Sequence, residues 1–325
     1  MAQTQSRAEL RFLQFLSWFP LRLVLAFAGA LAWLASWLPL RLVGAHRDVL
    51  LNMLICYPER SFAENQRHAR RALVQTARTL ASYSHVWLRP PEQAMNRIRT
   101  VHGQQAVQAA MDAQQPVLFL SLHQAAWEIP VLVIGEMGQA VIMYQPADNA
   151  LDPVVKHARE RTGCSLVPAD GQGVREALAA LAAGGCFGLL ADHQPGGRHN
   201  PDANFFGHPV AVPAFVDKVV KKFKPAIFFV HAEYHSDDVY LDVHLTPADP
   251  AIYEGDEAAT LQCMMDGLEA IIRNASDQYN WTYNRFRRGG SGKRDWYRKE
   301  KALALIERIR AGEPADVVFA DPPSK

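Results

Sequence analysis

Two short stretches carry side chains whose types and spacing suit acid–base chemistry, His123-Gln-Ala-Ala-Trp-Glu128 and Ala191-Asp-His-Gln-Pro-Gly-Gly197. Each follows a continuous apolar run, Pro116–Leu122 before the first and Cys186–Ala191 within and before the second. Such a run reads as a strand buried on both faces, and α/β sheets place their chemistry at the C-terminal ends of such strands. Glu128 lies five residues beyond His123, so a turn would let its carboxylate accept the Nδ1–H of the imidazole. That contact would fix the tautomer, leave Nε2 free as a general base and balance the imidazolium formed on proton transfer. The chain has no Gly-x-Ser-x-Gly elbow, which would mark a serine nucleophile. A base without an enzyme nucleophile points to a substrate hydroxyl attacking an activated acyl group. The spacing also fits a core histidine beside a surface glutamate.

Asp192 opens the second stretch and reads either as a site carboxylate or as a turn or helix-cap residue. Phe205 and Phe206, just before Gly207, read as core packing or as the lining of an apolar slot for a chain-like substrate. Lys218, Lys221, Lys222 and Lys224 fall within seven residues, and Arg273–Lys301 carries nine basic against three acidic side chains. Such runs are commonly solvated faces; here they also suit lipid phosphate or an acidic carrier protein. His123, Glu128, Asp192, His193, His199 and His208 could instead supply a metal-dependent hydrolase. However, no His-x-His or His-Glu-x-x-His spacing accompanies them, and no metal is expected.

The elements needed to hold these groups follow from the pattern. Strands are expected at 116–122, 139–144, 165–167, 186–191, 226–233 and 239–245. Helices are expected at 151–163, 174–183 and 260–274, and a long one opens at a capping box, Ser61-Phe-Ala-Glu64. The alternation predicts an α/β fold, a mixed, mostly parallel sheet flanked by helices. At the N-terminus, Leu23–Leu40 gives eighteen uncharged residues between Arg22 and Arg41. A single helix of that length spans about 27 Å, close to the hydrocarbon thickness. Residues 1–45 are therefore expected to form a membrane anchor, 46–310 the catalytic domain and 311–325 a flexible tail.

Composition removes other classes. Of 325 residues 49% are hydrophobic, and 34 basic against 33 acidic side chains leave a net charge of +1. A disordered chain or a dedicated nucleic-acid binder is excluded on those grounds. Cys56, Cys164, Cys186 and Cys263 lie far apart with no Cys-x-x-Cys pair, against a disulfide framework or a cysteine zinc site.

Taken in order, the motifs resemble the bacterial lipid A late acyltransferases, a branch of the glycerolipid acyltransferase superfamily, over about residues 15 to 290. The resemblance is carried by Asn52–Glu59, the His-x-x-x-x-Glu site at 123–128 and Ala158-Arg-Glu-Arg161. It continues through Asp192-His-Gln-Pro-Gly196, Phe205-Phe-Gly207 and Gln278-Tyr-Asn-Trp-Thr-Tyr-Asn-Arg-Phe286. Departures from the branch pattern are Gln124-Ala-Ala126, His193 and Gln145 before Pro146; they put the identity of the acceptor in doubt. The resemblance implies an enzyme at the bacterial inner membrane with its site on the cytoplasmic side and no cofactor. Its donor would be an acyl carrier protein thioester and its acceptor a hydroxyl of a lipid A precursor or related glycolipid. His123 and Glu128 would be catalytic, while Arg159, Arg161, Asp192, Phe205, Phe206 and Arg285 would position substrate. A non-catalytic membrane adaptor of the same fold is the remaining alternative.

Overall fold

A computed structural model describes residues 2–196, 200–289 and 292–320. The chain runs α1 (Ala2–Ser17), α2 (Leu21–Ala35), α3 (Gly44–Cys56), α4 (Phe62–Leu88) and α5 (Pro91–Met95) before its first strand. There follow β1 (Ile98–His102), α6 (Gln104–Asp112), β2 (Val117–Ser121), α7 (Glu128–Met137), β3 (Ala140–Tyr144) and α8 (Asp152–Glu160). After β4 (Cys164–Pro168), α9 (Gly171–Ala182) and β5 (Cys186–Leu190), a hairpin of β6 (Asp202–Phe205) and β7 (His208–Ala211) projects from the α/β pattern. The rest is α10 (Phe215–Phe223), β8 (Ala226–Tyr234), β9 (Leu241–Pro247), α11 (Glu257–Asn274), α12 (Lys299–Arg310) and α13 (Ala315–Val318).

Seven strands form one sheet in the order β1-β9-β8-β2-β5-β3-β4. Five of them, β2, β3, β4, β5 and β8, are mutually parallel; β9 pairs antiparallel with β8, and β1 lies parallel to β9. The chain leaves β2 towards β3 and β4, then returns to insert β5 between β2 and β3. That reversal opens a crevice at the C-terminal ends of β2 and β5, where sheets of this kind bind ligands. Both strands are apolar on both faces because helices cover both sides, with Leu118, Leu120 and Phe187 packed in one cluster and Val117, Phe119 and Cys186 in another.

The N-terminal anchor does not form as expected. Among the described residues no helix is long and apolar enough to cross a membrane. Leu23–Leu40 is not one helix: α2 stops at Ala35 after 15 residues, about 22 Å, and Pro39 disfavours helical geometry at Leu38. The hairpin of α1 and α2 is also tied to α4. Arg89 donates to the carbonyl of Ser17 through Nε at 2.9 Å and Nη2 at 2.5 Å, and Gly29 leaves the space through which Arg78 passes to reach Asp238. The outward faces of both helices remain apolar, with Phe12, Phe15, Trp18, Phe27, Leu31 and Trp33 exposed.

The expected flexible tail begins too early. Residues 315–319 are packed, with Val318 and Phe319 buried and the Phe319 ring 5.2 Å from that of Trp296. Residues 321–325 lie outside the described residues. The capping box at Ser61 forms as read: Ser61 N–H donates to Glu64 Oε2 at 2.8 Å, and Glu64 N–H donates to Ser61 Oγ at 3.3 Å.

Candidate active site

The parallel ladder between β2 and β5 sets the geometry of the site. Ser121 pairs with Leu190 on the last rung, and Ala191 N–H still donates to the Ser121 carbonyl at 2.8 Å. His123 and Asp192 each stand two residues past that rung, on neighbouring strands. The Asp192 carboxylate accepts the His123 backbone N–H at 3.0 Å, and His123 Nδ1 lies 3.0 Å from both carboxylate oxygens. Tyr279 donates its hydroxyl to the same carboxylate at 2.9 Å. Asp192 is fully buried, whereas the His123 side chain is 12% exposed. Burial alone would raise the Asp192 carboxyl, but the adjacent His123 and the hydrogen bonds it donates hold that carboxyl well below the usual range. The acid is thus an anion at neutral pH, and it fixes His123 with Nδ1–H inward and Nε2 as the free nitrogen.

Glu128 does not make the contact expected of it. It opens α7 and turns away to form a bidentate ion pair with Arg159 of α8, at 2.8 and 2.5 Å. A guanidinium fork matches a carboxylate better than an imidazole edge does, and no hydrogen bond joins Glu128 to His123. Burial would raise the Glu128 carboxyl, and Arg159 outweighs that and lowers it. The pair braces α7 against α8 just behind the loop that carries His123.

Aromatic rings clamp the imidazole. The His193 ring stacks on that of His123 at 4.2 Å and 10°, Tyr283 stacks on His193 at 4.7 Å, and the Trp127 ring meets that of His123 edge-to-face with centroids 5.0 Å apart. His193 reaches solvent at one side, but its ring is sandwiched; burial, then the nearby His123, push it down to about 4. It is therefore a neutral wall of the site. The loop after His123 is held from below: Ala125, in left-handed geometry at φ 47°, donates N–H to the Gln278 carbonyl at 2.8 Å. Asn280 N–H donates to the carbonyl of His123 at 2.9 Å.

The remaining expected substrate residues support the site from within. Phe205 and Phe206 are buried and fill an aromatic core with Tyr57, Trp281 and Phe286. They leave no slot, because Phe206 and Gly207 adopt left-handed angles (φ 50° and 78°) in a two-residue hairpin turn that drives the Phe206 ring inward. Arg161 donates to the carbonyls of Val86 and Arg89, closing the C-terminal end of α4. Arg285 is 2% exposed, and its charge lies among Tyr279, Tyr283 and Asp192. Of the alternative metal-ligand set, His208 packs against Phe286 and Trp296, away from His123, and His199 lies outside the described residues. Tyr279, Tyr283 and Trp127 were missed as site residues. The first two sit in the Gln278–Phe286 motif, whose place in the fold gives them their role.

A model of the bacterial lipid A biosynthesis acyltransferases matches residues 7–288. The chain belongs to that family. It is accordingly an O-acyltransferase of lipid A biosynthesis, and the adaptor and hydrolase alternatives fall. Relatives include the lipid A biosynthesis myristoyltransferase of Escherichia coli (strain K12), 22% identical over 239 residues and 73% of each chain. Lipid A biosynthesis acyltransferases 1 and 2 of Shigella flexneri are 22% identical over 239 residues and 20% identical over 256. The first covers 73% of both chains, the second 78% of this chain and 81% of its own. The match spans the whole α/β domain, so the His123–Asp192 pair lies inside the region this acyltransferase shares with its family.

Proposed function

We propose that this lipid A family acyltransferase moves a fatty acyl group from an acyl carrier protein thioester to a hydroxyl of a lipid A precursor or related glycolipid, with His123 as general base and Asp192 as its partner. His123 Nε2 takes the hydroxyl proton as the oxygen attacks the thioester carbonyl. The carbon–sulfur bond then breaks, and the imidazolium returns the proton to the leaving thiolate. Asp192 holds the tautomer and balances the transient positive charge, a role worth about 10²–10⁴ in rate. The observation that carries this reading is the pairing of a fully buried carboxylate with Nδ1 of a histidine at the crevice of the sheet.

Direct transfer is favoured over an acyl-enzyme by the state of the thiols. Burial pushes Cys164 up to about 12 and Cys186 up to about 11, and it also raises Cys56 and Cys263; none is a thiolate at neutral pH. The working position is the cytoplasmic face of the inner membrane. The exposed aromatic and leucine side chains of α1 and α2, with exposed Arg7, Arg11 and Arg22 among them, suit a helix hairpin lying in the head-group region. The exposed α10 lysines, Lys218, Lys221 and Lys222, together with exposed Arg287 and Lys293, suit an acidic carrier.

Transfer from a radiolabelled acyl carrier protein to a lipid A precursor in mixed micelles tests the reaction. Lipid mass spectrometry of cells carrying wild type or His123→Ala identifies the acceptor. The wild type should add one acyl chain that the variant does not add, with both proteins folded. Equal acylation by both would overturn the mechanism.

A further inference from the structure

A second cluster of chemically capable side chains lies on the opposite wing of the sheet, where β1, β9 and β8 run side by side. His102 pairs across the ladder with His244, and His244 with His231. Their three imidazoles form a stack, His102 on His244 at 4.6 Å and 17°, and His244 on His231 at 4.8 Å and 8°. On the same face, Glu233 stands directly opposite Asp242, a pairing of like charges that costs stability when nothing neutralises it.

Two overlapping groups share His244. In each, the ligand atoms lie within 4.8 Å of one another: His231, Glu233 and His244 in the inner group, His102, Asp242 and His244 in the outer. The two groups differ in what already engages them. Asp242 in the outer group accepts from His102 at 3.3 Å and from His235 at 3.1 Å. In the inner group, His231 is 8% exposed, and its Nδ1 is buried with no hydrogen-bond partner among the described residues. A buried imidazole nitrogen without a partner is a cost that a ligand would remove.

We propose that His231, Glu233 and His244 bind one divalent transition-metal ion of the zinc class, outside the acyl-transfer site. Two imidazoles and one carboxylate are a zinc-type donor set, with a fourth position left for water. Binding would turn the stacked rings about χ2, so that their nitrogens, already within 4.8 Å of one another, converge on the ion. The positive charge also offsets the Glu233–Asp242 opposition. The ion would staple β9 to β8 at the end of β8, where the Tyr234 backbone N–H donates to Gln278 Oε1 at 2.7 Å, one residue before Tyr279. It therefore acts as a fastening of the sheet edge, not as a participant in acyl transfer.

The test uses tag-free full-length protein, stripped with chelator and titrated with Zn²⁺ by calorimetry, with metal content of the purified protein measured in parallel. One saturable Zn²⁺ per chain is expected, with a higher melting temperature in its presence. His244→Ala and His231→Ala should each weaken binding about 100-fold or more, while His102→Ala and His123→Ala retain it. Circular dichroism and the metal-free melting temperature establish that each variant is folded; Glu233→Gln replaces any histidine variant that is not. Absence of saturable binding, or binding undiminished in the folded inner-group variants, overturns the site. Loss on His102→Ala with retention on His231→Ala overturns the inner assignment.

Discussion

Asp192→Asn separates the role of the carboxylate from its shape. Three donors converge on this side chain: the His123 backbone N–H, the His123 ring N–H and the Tyr279 hydroxyl. A primary amide offers one oxygen and one NH₂. The backbone N–H cannot reorient, so the amide oxygen stays with it and with Tyr279, both of which meet Oδ2. The NH₂ then faces Nδ1, which must accept, and the ring proton moves to Nε2. A histidine in that tautomer cannot take a proton from the acceptor hydroxyl. The expected loss in kcat is the whole general-base contribution, about 10²–10⁴-fold, or about 2.7–5.4 kcal/mol of barrier. The amide keeps the volume but removes a buried charge that His123 stabilises, so the melting temperature should fall while the circular dichroism spectrum stays native. Single-turnover transfer from labelled acyl carrier protein, alongside thermal unfolding, reads both quantities. Turnover within threefold of wild type in a folded Asp192→Asn protein would refute the assignment. A selective loss in Glu128→Gln of the same size, with its fold intact, would restore Glu128 as the chemical partner.

Glu128→Gln should act chiefly on stability, because it strands the Arg159 charge in a buried pair; about 3–5 kcal/mol is expected by denaturant unfolding. Glu128→Met with Arg159→Met together should recover most of that loss. Tyr279→Phe removes one hydrogen bond to a buried anion and should cost about 1.5–3 kcal/mol shared between stability and kcat. His46 is buried, and both ring nitrogens lack partners among the described residues. Burial, then Arg70, push it down to about 4. Its unfolded form binds a proton near pH 6.5 and its folded form does not, so it lowers stability as pH falls from 6.5 towards 4. From pH 7.5 to pH 5 this amounts to about 2 kcal/mol, and His46→Leu should flatten that part of the stability–pH curve. Trp18→Ser with Phe27→Ser should shift the protein from pellet to supernatant in sedimentation with anionic vesicles while leaving its melting temperature unchanged.

The central sheet was readable from the sequence because its strands are uninterrupted apolar runs, and such runs have few other uses in a covered sheet. β1 was not readable: Ile98-Arg-Thr-Val-His102 is short and polar, and its pairing with β9 is a tertiary event. The hairpin at 202–211 was hidden for a related reason, since its turn places Phe206, not an asparagine or glycine, in a left-handed conformation. His123 was legible from its place after β2. Its carboxylate was assigned to the nearest acid in sequence, Glu128, because sequence spacing gives no view of competing partners. Arg159, 31 residues on, claims that acid. The eighteen uncharged residues at the N-terminus promised a membrane span on length alone, but Pro39 and the docking of α2 on α4 decided otherwise.

The pair His123–Asp192 is located by rungs of a ladder and not by a count of residues along the chain. Sixty-nine positions separate the two side chains, and those positions build α7, β3, α8, β4, α9 and β5. Loops within that excursion can lengthen or shorten without moving either side chain, provided β2 and β5 keep Ser121 level with Leu190. One residue added inside either strand would do the opposite, carrying the histidine or the acid past its mate and turning it to the other face of the sheet. The reactive geometry is therefore insulated from drift in surface loops and exposed to slips in the two strands at the centre of the sheet.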